Sequence, residues 1–159
     1  MGRKGGVLMK ETVLVYREIK TDGGDYSQTL ELRDQVLRKP WGQSIKDDDL
    51  SGEPLDFIYG AFDGSRLVGM AILQDRGEAY SRLRYMAVDP AYQGRGIGTA
   101  ICREFETRSR ESGKAGIRLM ARIKAVDFYQ RLGYRKEGKP YFPGHIAIEH
   151  VDMILTFHG

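Results

Sequence analysis

Residues 86–99 read Met-Ala-Val-Asp-Pro-Ala-Tyr-Gln-Gly-Arg-Gly-Ile-Gly-Thr. An apolar strand runs into a glycine-rich turn, and an amphipathic helix leaves it. The first amides of a helix have no intrahelical partner, so their N–H groups point forward with the positive end of the helix dipole behind them. Glycines at 94, 96 and 98 let the backbone approach an anion closely. Arg95 adds a cation. The chemistry of such a turn is phosphate binding. A plain tight turn is the simplest alternative. A dinucleotide fingerprint needs G-x-G-x-x-G, and the spacing here is G-x-G-x-G. A P-loop needs a Gly-Lys-Ser/Thr ending, which is absent.

The pattern Gln93-x-x-Gly96-x-Gly98, after a strand ending Ala87-Val88-Asp89-Pro90, resembles the acetyl-CoA-binding motif of the GNAT superfamily of N-acetyltransferases. About thirty residues on, Ala125-Val-Asp-Phe-Tyr129-Gln-Arg-Leu-Gly-Tyr134 is similar to the family's A-x-x-F-Y-x-x-x-G-F/Y segment. Two motifs in this order and separation are far more specific than either alone. The resemblance covers residues 16–157, and residues 148–153 are similar to the tail of small bacterial members.

The resemblance implies where acetyl-CoA would sit. Backbone N–H groups from Gln93, Gly94, Arg95, Gly96, Ile97, Gly98 and Thr99 would hold its pyrophosphate. The backbone of Met86, Ala87 and Val88 would accompany the pantetheine arm. Phe128 and Tyr129 would lie near the thioester. Many relatives carry Asn where this chain has Arg122, whose guanidinium is expected to contact the cofactor. Tyr129 is the expected catalytic acid, giving a proton to the departing thiolate. The attacking amine must lose a proton, and a lysine-like amine holds it up to about pH 10.4. Some relatives place a glutamate on the strand before the cradle, where this chain reads Ser81-Arg82-Leu83-Arg84. His145, Glu149 and His150 are the substitute bases, and His150 has the most suitable ordinary pKa. Cys102 reads as a packing residue. Direct attack on the thioester is the expected route, with a primary amine as acceptor and no metal. A non-catalytic acyl-CoA-binding or sensing module is the alternative.

The elements that must position these residues follow from periodicity. Strands are expected at 12–19, 57–62, 67–73, 79–88, 117–121 and 146–157, and helices at 26–39, 96–112 and 125–132. Asp63-Gly64-Ser65 marks a hairpin turn. Strands with helices between them give an α/β (α+β) fold. The family form is a single domain with a mixed, mostly antiparallel sheet of six to seven strands, splayed in the middle, with helices on both faces. Residues 1–8 read as a flexible extension and 9–159 as the domain.

Composition sets limits. The 159 residues are 41% hydrophobic and 30% charged, a globular mixture rather than a disordered one. The single cysteine makes no internal disulfide, which fits a cytoplasmic protein. No apolar run is long enough for a membrane span. The net charge of +3 is unevenly placed: residues 82–139 hold 14 basic and 6 acidic side chains, so the rest of the chain is net negative. No nucleic-acid-reading motif accompanies the basic segment. The split suits a polyanionic cofactor on one side and a cationic amine on the other; Asp47-Asp48-Asp49, with Glu53 and Asp56, reads first as a solvated loop and otherwise as an attractor for that amine. Trp41 is a candidate for that acceptor side, and a homodimer is open.

Overall fold

The computed structural model describes residues 13–144 and 146–158. In chain order the elements are strand β1 (Val15–Ile19), helix α1 (Tyr26–Arg33), the hairpin β2 (Phe57–Asp63) and β3 (Arg66–Gln74), and β4 (Tyr80–Val88). They continue as α2 (Ile97–Glu111), β5 (Gly116–Arg122), α3 (Val126–Arg131), β6 (Arg135–Tyr141) and β7 (His150–Thr156). All seven strands form one sheet in the order β1-β2-β3-β4-β5-β7-β6. Only β4 and β5 are parallel; every other pair is antiparallel. The mixed, mostly antiparallel sheet of the expected fold is present. The expected extension at residues 1–8 lies outside the described residues.

Each face of the sheet is covered for a legible reason. In α2, Ile97, Ile101 and Phe105 recur every four residues and are fully buried. They pack on Ala61, Val68, Leu83, Ile117, Leu119 and Met153. Each such burial contributes roughly 1.5–3 kcal/mol. The start of α2 is seated tightly on β3, since a Cβ at Gly69 would fall 2.5 Å from Ile97. On the opposite face, Leu32 of α1 joins Ile58, Phe62, Met70 and Ile72.

Three expectations need correction. The helix expected through residue 39 is α-helical only to Arg33; a π turn covers Asp34–Arg38 and a 3-10 turn covers Lys39–Trp41. Periodicity over so few residues does not register a one-residue change in helix pitch. The last strand starts at His150 rather than 146, and the Ile146 N–H is taken up by the Pro143 carbonyl instead of a strand partner. Strand β6 was not expected at all. Its sequence, Arg-Lys-Glu-Gly-Lys-Pro-Tyr, has no apolar alternation, and all but Tyr141 are exposed. Charged side chains and proline mark a sheet edge, where no neighbour demands an apolar face.

Candidate active site

The glycine-rich turn is held from below. Asp89 accepts the Ala91 N–H at 2.9 Å and pairs with Arg66 at 2.6 Å. The Tyr92 hydroxyl donates to Asp63. Gly94 and Gly96 both have φ of +80°, a left-handed conformation that disfavours side chains. Among the described residues nothing but the chain neighbours lies within 4 Å of where their Cβ atoms would be, so the space above them is open. The amides of Gly94, Gly96, Ile97, Gly98 and Thr99 have no backbone partner among the described residues. Gly98 differs: it is helical, and its Cβ would touch the Phe128 ring at 3.0 Å. Its bareness admits a side chain of the second motif. Arg95 is exposed, with its guanidinium 5.2 Å from the Tyr92 ring centre. The donors, the open space and the nearby cation fit a pyrophosphate.

The sheet opens beside this turn. β4 and β5 pair from Tyr80↔Gly116 to Leu83↔Leu119 and then part. Beyond Leu83, the β5 side of β4 has no strand partner among the described residues. The cause is a bulge: β3 residues Met70 and Ile72 face Ala87 and Arg84, so β4 holds one extra residue. Tyr85 lies in the bulge at φ +60°, the one non-glycine residue with positive φ among those described. Such a backbone costs about 1–3 kcal/mol. The Tyr85 hydroxyl donates to Asp48 at 2.7 Å, and its ring packs against the Arg33 and Arg84 guanidiniums. Burial and the Asp48 bond push its pKa up to about 12.

Two cavities adjoin this opening. One, of about 700 Å³, runs along Val88, Tyr92, Gln93, Gly94, Gly96, Ile97, Gly98 and Thr99. The other, of about 210 Å³, lies among Arg82, Arg84, Tyr85, Tyr129 and His150. Met86, Arg122, Ala125, Phe128 and Leu37 line both. Of the expected cofactor residues, Ala87 and Arg95 line neither cavity: the Ala87 side chain is buried in the core on the α1 face, and Arg95 is exposed.

Tyr129 is buried, with its ring edge-on to Phe128 and Tyr134. Burial raises its pKa, so the phenol keeps its proton at neutral pH. His150 is also buried, and its Nδ1 lies 2.7 Å from the Ile148 carbonyl. A carbonyl only accepts, so Nδ1 carries the proton and Nε2 keeps its lone pair. Burial, then the Arg122 and Arg38 charges, lower its pKa below the usual 6.5. His145 lies outside the described residues. Glu149 does not line either cavity. Cys102 is wholly buried, and burial raises its thiol to about 12, which suits packing.

The charge layout reverses the expectation for the second cavity. The acidic residues offered as an attractor for a cationic amine are occupied in the scaffold. Asp48 takes Arg38 at 2.6 Å, Glu53 takes the buried Arg33 at 2.6 Å, and Asp56 takes Arg76 at 2.9 Å. Asp49 accepts the Ser51 hydroxyl at the surface. The cavity lining instead contains Arg38, Arg82, Arg84, Arg122 and His150, and no Asp or Glu among the described residues. Arg122 donates to the Leu37 carbonyl at 2.7 Å and lies over Trp41 at 4.3 Å. It lines both cavities. Burial and the Arg38 charge lower its pKa to about 10. Sequence reasoning passed over Arg82, Arg84 and Tyr85. The alternation of Ser81 and Leu83 with Arg82 and Arg84 was the available signal, since the first pair is buried and the second is not.

A sheet splayed between two parallel strands, beside a glycine-rich helix start, defines the acyl-CoA N-acyltransferase fold. A family model for the acetyltransferase (GNAT) domain matches residues 25–157, and the chain belongs to that family of acyltransferases. Among curated relatives, the Bacillus subtilis N-acetyltransferase YitI is 29% identical over 140 residues, covering 80% of this chain and 89% of that one. YjcF from the same organism is 28% identical over 107 residues, covering 67% and 74%. Among solved structures, the Escherichia coli ribosomal-protein-S18-alanine N-acetyltransferase superposes with a TM-score of 0.75 at 18% identity, covering 92% of this chain and 97% of that one. A Bacillus anthracis structure described as a streptothricin acetyltransferase in complex with acetyl coenzyme A superposes with a TM-score of 0.67 at 18% identity, covering 91% and 100%. No helix among the described residues is long and apolar enough to cross a membrane.

Proposed function

We propose that the protein transfers the acetyl group of acetyl-CoA to a small primary amine by direct attack, with Tyr129 as general acid. The observation that carries this reading is the placement of Tyr129 in a cavity that shares Met86, Ala125 and Phe128 with the groove of the glycine turn. The turn amides hold the pyrophosphate. The unpaired backbone of β4 accompanies the pantetheine arm and polarises the thioester carbonyl. The amine nitrogen bonds to the carbonyl carbon as the carbon–sulfur bond breaks. Tyr129 donates its proton to the departing sulfur. His150, neutral and with Nε2 unprotonated, takes the proton that the amine must lose, directly or through water. Holding both reactants in adjoining cavities supplies much of the acceleration.

Steady-state kinetics of Tyr129→Phe tests the assignment. Loss of the proton donor lowers kcat about 100-fold, the lower end of general-acid contributions, while acetyl-CoA affinity by calorimetry stays within twofold. An unchanged kcat across the pH range removes Tyr129 from the chemistry.

A further inference from the structure

We propose that the acceptor cavity contains an anion subsite, formed by Arg84 and Arg82, and that the natural acceptor is a primary amine bearing its own carboxylate or phosphate. This deepens the acetyltransferase reading and rests on it.

Arg82 and Arg84 alternate along β4, on the face opposite the buried Ser81 and Leu83. Both line the cavity that holds Tyr129. Neither makes an ion pair among the described residues. Arg84 reaches the Tyr85 hydroxyl only at 3.5 Å, the limit of a hydrogen bond. The adjacent strands β3 and β5 carry no acid, and the acids that share a pocket with Arg82, on β7 and β6 beyond β5, have other partners. Asp152 accepts the Tyr141 hydroxyl at 2.5 Å, and Glu137 lies 3.7 Å from Arg118. Arg38, by contrast, is neutralised by a two-point contact with Asp48 at 2.6 and 3.1 Å. The Arg84 charge is felt by Asp49 and its guanidinium stacks on Tyr85, yet among the described residues neither Arg84 nor Arg82 is held in an ion pair as Arg38 is, so both are in reach of a ligand.

The charge balance then selects among amines. Unpaired guanidiniums offer planar, forked donors that suit carboxylate or phosphate. They also repel an ammonium, which favours the neutral, attacking form of the amine. A polycation gains nothing to offset that repulsion, whereas an acid-bearing amine brings its own counter-charge. β4 parts from β5 beyond Leu83, and Arg84 and Met86 both line the cavity, so an acid group held by Arg84 leaves its amine within the cavity beside the Met86 backbone. A cavity of about 210 Å³ has room for a molecule of amino-acid size.

The test is CoA-thiol release with matched acceptors. Methionine, phenylalanine and aspartate are each compared with their amides, glucosamine with its 6-phosphate, and spermidine serves as the polycation. At least one acid-bearing member is expected to show a kcat/KM tenfold or more above its uncharged counterpart, with spermidine below both. The amino acids and the sugar phosphate separate a carboxylate source from a phosphate source. Arg84→Gln should collapse that ratio toward one through KM, and Arg84→Lys should restore part of it. Arg82→Gln, at an exposed position, gives a second reading should Arg84→Gln fold poorly. Uncharged amines or spermidine turning over as well as the acid-bearing set, or a ratio indifferent to both arginine variants, overturns the subsite and leaves acetyl transfer standing. If no amine turns over, calorimetry of the acetyl-CoA-loaded protein with the same panel decides. Acid-bearing amines that bind, and lose binding in Arg84→Gln, support the subsite. No such binding overturns it. Absence of acetyl-CoA binding is the separate result that removes the acetyltransferase reading.

Discussion

The two cavities that meet at Phe128 are built from different materials. The groove of the glycine turn offers main-chain N–H groups and bare glycines along one wall, which one turn and one helix start shape. The cavity that holds Tyr129 is built from side chains drawn from the π turn after α1, from β4, β5 and α3, and from the start of β7. A backbone site depends on conformation, so few residue types suit it. A side-chain site depends on which guanidinium meets which carboxylate, and that is settled only in three dimensions.

The sharpest way to break the comparison is at Asp48, which holds Arg38 and the Tyr85 hydroxyl together with 6% of its side chain exposed. Asp48→Ala strands a buried guanidinium and should destabilise the fold by about 3–5 kcal/mol, read by denaturant unfolding. In whatever fraction stays folded, acceptor KM should rise far more than acetyl-CoA KM. Equal loss at both would mean that the two cavities share one framework. The converse variant is Gly96→Val. A β-branched residue at φ +80° should weaken acetyl-CoA binding about tenfold to a hundredfold by calorimetry, with thermal stability lowered less than in Asp48→Ala.

The pH dependence sharpens the comparison with the smallest effect. His150 has a lowered pKa, so it is neutral across the neutral range and gains its proton only below 6.5. Activity should be constant at neutral pH and fall as the pH drops through a value under 6.5. The same proton destabilises the fold on that side, because the unfolded chain binds it first as pH falls. His150→Gln should lower kcat about tenfold and flatten the acid limb of kcat/KM, with acetyl-CoA binding unmoved.

Legibility in the sequence followed the same division. The glycine turn was readable because glycine at 94 and 96 answers a local backbone demand. Helix α2 was readable because Ile97, Ile101 and Phe105 repeat along one face. Strand β6 was hidden because an edge strand needs no apolar alternation. The π turn at Asp34–Arg38 was hidden because it changes helix pitch without changing composition. The partner of Asp48 in the acidic run at 47–49 was hidden for a physical reason: a formal charge in a sequence carries no record of its partner. Asp48 lies next to Arg38 only after the chain has crossed the π and 3-10 turns. The left-handed Tyr85 had no local signal, since tyrosine is an ordinary strand residue.

The contact between Gly98 and Phe128 has a consequence for inheritance. The two stretches that made the chain recognisable lie about thirty residues apart, yet they touch where a Cβ would come within 3.0 Å of the ring. They therefore cannot drift independently. A lineage that enlarges residue 98 must trim residue 128, and the wall shared by the two cavities moves with it. A change selected for a different acceptor would be paid back in cofactor fit, and the reverse holds too. The pair of signatures is in this sense a single heritable unit, written in two places along the chain.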